Sequence, residues 1–539
     1  MKKKYVRWTL WTIASPFILF VILCILIYLP PIQNFLVDKA AVYASEATGM
    51  NISVGRISLS FPLNLVVTDV DAASPHNDTL LSVRRLQVNV QLLPLLKKQV
   101  EVDGISLQGA TVNSNDLIHG MKLNGTLGEL FISSHGVALD PETAIVNKVL
   151  LKDTDLSLCL NDTAAVDTAA SDTTYWKIIL QDIDLQNVSF ALDMPLDSLS
   201  LAASLDNAIL RDGLIDLHKS AYSLQTFRIK NGRVRYDSGK PLAADSLPSG
   251  LDPSHIALTD IGVKLDSLYY EGRNMKAIIS QFVLKERSGV EIVSATGRMV
   301  SNDKVLRVPS LKLETRDSYL ELNAAMDWNA LDFKGEGLVS ARLMADIGKP
   351  DVVRFMGRMD EKFVRQYPSE PLRIRTGIDG DLNKLKLTTL TAELPGALGL
   401  FARGELTHLT DSLLRGGDIT LEAETKDLKF VSTLAEGIEI PYGTRLEGKF
   451  TMAGAKMGTD LLLMQPEAQA VAAADTIPIT VYNDSISVAD DFKMERAARL
   501  FAKYDLSRDR YEADLAVNHF DLHQFMPADS LYTLSTRLK

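Results

Sequence analysis

Residues 51–70 read NISVGRISLSFPLNLVVTDV, and within them Ile57, Leu59, Phe61, Leu63, Leu65 and Val67 alternate without a miss. Their neighbours Ser58, Ser60, Asn64 and Thr68 are polar. A period of two with polar intervals describes an extended chain with one buried face and one wet face. Pro62 falls inside the run, and a residue with no N–H to give a ladder places the strand at a sheet edge.

The same period recurs at Leu86/Val88/Val90, Ile105/Leu107, Ile183/Leu185, Phe227/Ile229, Leu311/Leu313, Leu320/Leu322, Leu331/Phe333 and Ile419/Leu421, so the chain reads as mainly β. Three segments share a further feature: ISLQGATV from Ile105, IDLQNVSF from Ile183 and FRIKNGRV from Phe227. In each the alternation changes phase, at Gly109, Asn187 and Asn231. Gly and Asn tolerate positive φ, so a bulge or tight turn is expected at each. Asp212-Gly213 reads as a hairpin signal. The copies recur at irregular intervals, which makes a weak internal repeat and not a short-period solenoid.

Upstream, Trp8 to Leu29 carries no charge for long enough to cross a hydrocarbon core as a helix. Lys2, Lys3, Lys4 and Arg7 precede it, which by the positive-inside rule sets the N-terminus in the cytoplasm and the rest of the chain outside. The run closes on Leu29, Pro30 and Pro31 without a small-x-small site, so an uncleaved anchor is expected. Ile32, Phe35, Leu36, Val42 and Tyr43 then fall at helical spacing before Gly49, a short amphipathic helix with a left-handed cap. The organisation expected is residues 1–29 as cytoplasmic tip and anchor, 30–50 as juxtamembrane helix, and 51–539 as the β region.

Two cysteines, Cys24 in the anchor and Cys159 beyond it, cannot pair, so no disulfide framework is expected. A net charge of −11 spread along the chain argues against a nucleic-acid surface. NDTAAVDTAASDTT from Asn161 and DSGKPLAADSLPSGLDPS from Asp237 are loops, KPDVVRFMGRMDEKFVRQY from Lys349 reads as a substantial helix, and Asp491 to Tyr504 as a shorter one.

Catalytic chemistry finds little footing, and neither a catalytic set, a metal site nor a cofactor is expected. There is no GxSxG elbow, no phosphate-binding GxxxxGK[ST] loop and no GxGxxG after a strand. His519 and His523 lack the glutamate a zincin needs, since Phe520 follows the first histidine. Cys159 has no basic neighbour to activate it. Asp153, Asp155, Asp182 and Asp184 fall at two-residue spacing, as solvated strand faces do. So much one-sided strand with so little helix must still bury its apolar face, either between two packed sheets or in a groove of one curled sheet.

The opening carries a resemblance. A single anchor, a short helix ending in ATG, NISVGRISLSFPLNLVVTDVDA and then DTLLSVRRLQVNVQLLPLLKKQVEVDGISLQGATV resemble the start of AsmA-like proteins, and among them the TamB-like group. The resemblance implies a long antiparallel β-sheet curled into a U-shaped groove with few short helices. It implies an inner-membrane anchor with the bulk of the chain in the periplasm, and phospholipid transport towards the outer membrane or help in outer-membrane protein assembly. The lining would be Ile57, Leu59, Phe61, Leu63, Leu65, Val67, Leu86, Val88, Val90, Ile183, Leu185, Leu313, Leu320 and Leu322. The partners implied are phospholipid acyl chains, the inner membrane and an outer-membrane barrel met through a C-terminal part that this sequence, stopping at LYTLSTRLK, does not include. The competing expectation is a membrane-tethered structural or binding protein made of β-sandwich domains.

Overall fold

A computed structural model describes residues 49–60, 64–74, 78–90, 102–114, 120–138, 142–161, 176–239, 250–332, 337–357, 359–434, 439–466, 480–482, 485–487, 494–526 and 533–538, with positions 39, 41, 42 and 45 before them. The anchor expected over Trp8–Leu29, and Phe61, Pro62 and Leu63, lie outside the described residues. Among the described residues no helix is long and apolar enough to cross a membrane. Positions 39, 41, 42 and 45 are helical, and Gly49 adopts φ 70° with its N–H donated to the Ser45 carbonyl at 2.9 Å, the left-handed cap expected there.

The fold is mainly β, with long, almost wholly antiparallel pairing and few short helices, and the chain divides into two compact units. The first holds β1 (Asn51–Ser60), β2 (Asn64–Ala73), β3 (Thr79–Val90), β4 (Val102–Asn113), β5 (Met121–Ala138), β6 (Thr143–Leu160), β7 (Lys177–Met194), β8 (Leu199–Asp216), β9 (Ala221–Leu224), β10 (Thr226–Ser238) and β11 (His255–Glu271). Strands pair in chain order from β1 to β8, then β8 with β10 and β10 with β11. The short β9 pairs with both β8 and β11, where it extends the line of β10. One pair among the described residues, β6 with β7, is parallel. A parallel neighbour needs a connection of about a dozen residues or more, and the segment from Asn161 that reads as a loop supplies it.

The opening run is therefore two strands and not one. Ile57 stands opposite Val67 and Leu59 opposite Leu65 in an antiparallel pair of strands. Because paired positions share parity, apolar alternation passes through the turn unbroken, which hid the hairpin from a reading of periodicity. Only the first half of the run stands at an edge, since β1 pairs with β2 alone among the described residues while β2 is paired on both sides.

The second unit holds β12 (Asn274–Glu286), β13 (Glu291–Ser301), β14 (Val305–Thr315), β15 (Tyr319–Asp327), β16 (Leu338–Ile347), β17 (Leu372–Asp381), β18 (Lys384–Leu394), β19 (Leu398–Thr407), β20 (Gly416–Thr425), β21 (Arg445–Ala453), β22 (Lys456–Pro466), β25 (Met494–Asp505), β26 (Arg510–Asp521) and β27 (Thr533–Leu538), paired antiparallel in chain order. A separate small hairpin joins β23 (Thr480–Tyr482) and β24 (Ser485–Ser487).

Several local expectations are corrected here. Leu331 closes a helical turn, Trp328–Leu331, and does not lie on a strand, while Phe333 is outside the described residues. The helix from Lys349 is two pieces, Lys349–Met356 and Glu361–Gln366, because Gly357 takes φ 77° and Asp360 starts the second by accepting the Lys362 N–H. Met494–Asp505 is strand β25, since Ala498, Leu500 and Ala502 meet Leu463, Leu461 and Thr459 of β22; pairing overrides the helix propensity of an Ala-rich segment. Asp212 sits inside β8 with φ 50°, a kink in a continuous strand and not a hairpin.

Candidate functional site: the apolar faces of the two units

The expected phase changes occur, with Gly109 at φ 62°, Asn187 at 51° and Asn231 at 54°. Asp69, Asp153 and Asp260 share this conformation, at φ 55°, 49° and 52°. Asp, Asn and Gly reach the left-handed region at least cost, which is why these types recur in strands they otherwise disfavour.

The ladder registers put all of these but Asp260 on one transverse line; Asp260 falls beyond the Gly232–Ile261 pair, against Arg233 of β10. Gly55 and Asp69 fall between the pairs Val54–Val70 and Arg56–Thr68. Asp69 and Arg84, Arg84 and Gly109, Gly109 and Gly128, Gly128 and Asp153, Asp153 and Asn187, Asn187 and Asp206, and Asp206 and Asn231 are bracketed in the same way by the following ladders. The side chains link along the line, Asn187 donating to Asp153 at 2.9 Å and Asn231 to Asp206. Gly128 is needed beside Asp153, because a Cβ there would stand 2.8 Å from the Asp153 Cβ.

At this crease every crossing strand spends two residues on the outer side, so inward steps of two become one step of three: Val54 to Ile57 in β1, Val83 to Leu86 in β3, Leu151 to the buried Thr154 in β6 and Leu205 to Ala208 in β8. Burial in β1 alternates, doubles its exposed residues at Gly55–Arg56, and alternates again. Both halves of each strand thereby present apolar side chains to the same face.

That face is organised in rows perpendicular to the strands. Ile57, Val67, Leu86, Leu107, Leu130, Leu151, Leu185, Ala208, Ile229 and Val263 are successive cross-strand partners from β1 to β11. Leu59, Leu65, Val88, Ile105, Ile132, Val149, Ile183, Leu210, Phe227 and Leu265 form the adjacent row. At the usual strand spacing of about 4.8 Å such a row runs roughly 40 Å along the sheet. The outer face carries Ser53, Asp71, Ser82, Thr111, Thr126, Asp155, Ser189 and Ser204 in the corresponding positions. Eight of the lining residues read from sequence, Ile57, Leu59, Leu65, Val67, Leu86, Val88, Ile183 and Leu185, thus share two rows, and Val90 follows Val88 at the end of β3 opposite Val102.

The second unit builds an equivalent face. Leu313, Leu320, Ala345, Ile374, Ala392, Leu400, Ala423, Leu446 and Leu463 make one row, and Leu311, Leu322, Leu343, Thr376, Leu390, Ala402, Leu421, Gly448 and Leu461 the next. Most of this face escaped the sequence reading because Ala and Gly occupy so many of its positions, as at Ala341, Ala345 and Gly448, and blur the alternation.

None of these four rows contains an ionisable side chain. Apart from Ala208, Ala345, Ala402 and Gly448, their residues are incompletely buried. Phe190 remains 38% exposed and Phe450 43%, although both project on the apolar side.

Over β15–β20 the second unit's face is walled at both strand ends. At one end Phe363, Tyr367 and Phe430 pack ring to ring at centroid distances of 5.1–5.6 Å and cover Leu372, Leu394 and Leu398. At the other end Ala330, Leu382 and Leu409 fold onto Met326, Val339 and Leu385. Between these two clusters the inward positions continue from strand to strand along the rows.

The first wall is clamped by Asp351, 1% exposed, which accepts from Ser318 Oγ at 2.6 Å, from Thr315 Oγ1 and from Arg354 Nη1 at 3.0 Å. Arg354 also reaches Asp317 at 2.8 Å. Burial pushes the Asp351 carboxyl up, and the hydrogen bonds from Ser318, Thr315 and Arg354 outweigh it and hold it below its ordinary value.

The polar candidates serve the outer face. Asp182 pairs with Arg211, Asp184 accepts from Asn207 at 3.1 Å, and Asp153 belongs to the crease. Cys159 contacts Asn161 at 3.2 Å, His519 contacts Asn518 at 2.9 Å, and the His523 N–H caps onto Asp521. No protein-family model matches this chain and no curated protein matches it, so the meaning of the apolar rows has to come from their own chemistry.

Proposed function

We propose that this chain is a membrane-anchored, periplasmic bridge that carries phospholipid acyl chains along its apolar rows towards the outer membrane. In this reading the sheet curls into a U-shaped trough with the rows on its inner side, and the helix over Trp8–Leu29 holds its mouth beside the inner membrane. The observation that carries the proposal is the continuity of uncharged apolar side chains from strand to strand, incompletely buried.

Exposing a methylene to water costs about 0.8 kcal/mol, so an acyl chain of about sixteen carbons meets a barrier on the order of 12 kcal/mol in crossing an aqueous gap. A continuous apolar row removes most of it, needs no nucleophile, metal or nucleotide, and leaves any energy input to a partner. Rows perpendicular to the strands of a sheet paired in chain order run from the N-terminal towards the C-terminal strands, the direction a conduit away from an anchor requires. Closed sandwiches would instead bury the rows against a second sheet, whereas every residue of the first unit's two rows except Ala208 keeps part of its surface in solvent.

The test is photocrosslinking in cells. A diazirine side chain at Leu59, Leu185 or Leu322 is expected to yield lipid adducts, and one at the outer-face Ser58 is not. Equal labelling at Ser58, or none at all three apolar positions, would overturn the proposal. Val88→Asp, in the middle of a row, is expected to block lipid flux while leaving the chain in the membrane.

A further inference from the structure

In the second unit the turns joining β19 to β20, β21 to β22 and β25 to β26 lie at the same end of neighbouring strands. They are fastened to one another: the Gly454 N–H donates to the Arg415 carbonyl at 2.7 Å, Arg415 Nε donates back to the Gly454 carbonyl at 2.8 Å, and the Leu506 N–H donates to the Ala455 carbonyl at 2.9 Å. This platform presents large apolar side chains to solvent, with Leu413 84% exposed, Leu414 64% and Tyr511 80%.

We propose that this rim of turns docks on an anionic phospholipid bilayer, Leu413 and Leu414 entering the interfacial layer while Lys456 and Arg508 meet lipid phosphates. The backbone at the tip is suited to leave water. Asp411 Oδ1 accepts the N–H groups of both Leu413 and Leu414, at 2.8 and 3.1 Å, so the tip enters a less polar medium with its donors satisfied.

The charge balance of the rim is more positive than that of the chain as a whole. Positions 411–415, 453–458 and 503–512 hold five basic residues against four acidic ones, in a chain whose net charge is −11. Of those acids, Asp411 is engaged as a turn cap, Asp505 accepts from the Ser507 N–H at 3.0 Å and lies in electrostatic reach of Lys456 and Arg508, and Glu512 pairs with Arg510 at 3.0 Å; Lys456 and Arg508 themselves are exposed to solvent. The apolar groups protrude from turn tips, and a bilayer interface takes protruding aliphatic side chains without the complementary cavity a folded partner would need. This surface is separate from the apolar rows, so crosslinks at Leu185 or Leu322 bear on acyl transport and leave the docking claim to its own test.

The test uses the full chain in amphipol, with Cys24→Ser and Cys159→Ser, and an environment-sensitive bimane label on Leu413→Cys. Vesicles of phosphatidylcholine with phosphatidylglycerol are expected to blue-shift the label and shield it from an aqueous quencher. Vesicles of phosphatidylcholine alone should do so weakly, and a label on Glu361→Cys at the opposite end of the strands should not respond. Lys456→Glu with Arg508→Glu should weaken the response to anionic vesicles at least about tenfold, with an unchanged circular dichroism spectrum. No shift at position 413 with anionic vesicles, an equal shift with phosphatidylcholine alone, or indifference to the double charge reversal would each overturn the proposal.

Discussion

In the first unit every strand that crosses the crease breaks its alternation at the same line, whereas in the second β15, β16 and β17 keep strict alternation although the strands flanking them, β14 and β18, do not. The difference shows in the ladders. From β1 to β10 the register before and after the crease is the same, as between Val54–Val70 and Arg56–Thr68, because both partners step together; between β10 and β11 the line ends in one-sided steps on either side of Gly232. In the second unit the steps are one-sided: β18 spends an extra residue between Leu387 and Leu390 against both β17 and β19, and β14 does so at Pro309–Ser310. A one-sided bulge is a local event. A shared crease is a collective one, in which each strand's backbone is committed to that of its neighbours, and it requires residues that accept positive φ.

The sharpest way to break the comparison is to delete one residue from each. Removing Asn187 from β7 leaves its neighbours stepping by three while it steps by two, so one half of the strand turns its apolar side chains outward. Displacing Ile183 and Leu185, or Val188 and Leu192, is expected to cost on the order of 3–5 kcal/mol, read as loss of hydrogen-exchange protection throughout β6–β8. Removing Thr388 should do the opposite of damage to register. With it gone, Leu387 opposite Ile378 and Thr389 opposite Gly377 become continuous, and the ladder to β19 heals at the same time. Only the Thr388 hydroxyl bond to the Gly377 carbonyl is lost, so about 1 kcal/mol is expected. Comparable losses from the two deletions would dissolve the distinction between crease and bulge.

A smaller effect tests the end wall of the second unit. The Asp351 carboxyl is held below its ordinary value, so its contribution is complete above the unfolded pKa of about 4 and is lost as pH falls through the lowered folded value. Acid should therefore loosen Lys349–Met356 and the turn Arg316–Ser318 before the ladders of β15–β17 open. Asp351→Asn is expected to cost about 1–3 kcal/mol at neutral pH and to remove that acid step from hydrogen exchange of the wall peptides. A wall that loosens in acid equally in the variant would mean that another group sets its stability.

The crease was partly legible in the sequence, and the manner of its partial legibility is instructive. Gly109, Asn187 and Asn231 announced themselves because each follows two alternating apolar residues and is a type known for positive φ. Asp69 and Asp153 do the same work, yet in sequence Asp153 reads as an ordinary wet-face acid and nothing singles out Asp69. Arg84 and Asp206 lie on the line with no left-handed backbone, so no residue-level signal marks them; their place follows only from pairing. The hairpin within residues 57–67 was hidden by the parity of its register, and β25 by an Ala-rich composition whose strand state depends on β22. The walls of the second unit depend on contacts between segments as distant as Phe363 and Phe430, which no local pattern carries.

Backbone conformation at the two kinds of step can be compared without changing chain length. Asn187→Val puts a β-branched residue at φ 51° and removes the bond to Asp153, and it is expected to cost about 2–3 kcal/mol. Asn187→Gly keeps the conformation and should recover most of that loss. Thr388→Val meets no left-handed backbone and should lose about 1 kcal/mol with its hydroxyl bond. Denaturant midpoints of the full chain, assigned to each unit by exchange, read all three. If glycine at 187 does no better than valine, the crease is not held by left-handed backbone.

The smallest effect concerns the outer faces, where the two units should not differ. In the first, Arg211 pairs with Asp182 and donates to the Ile183 carbonyl at 3.2 Å. In the second, Arg375 pairs with Asp346 at 2.7 Å and donates to the Ala345 carbonyl at 2.8 Å. Both pairs lie on neighbouring strands and keep about a third of their side-chain surface in water, so solvent screens each to a similar degree. Double-mutant cycles to alanine are expected to give coupling energies of about 0.2–1 kcal/mol in each unit, shrinking with added salt. A much larger coupling at Arg211 would mean that the crease unit draws stability from its outer face as well. Equal, small values would leave the arrangement of backbone steps beneath the apolar rows as the property that separates the two units.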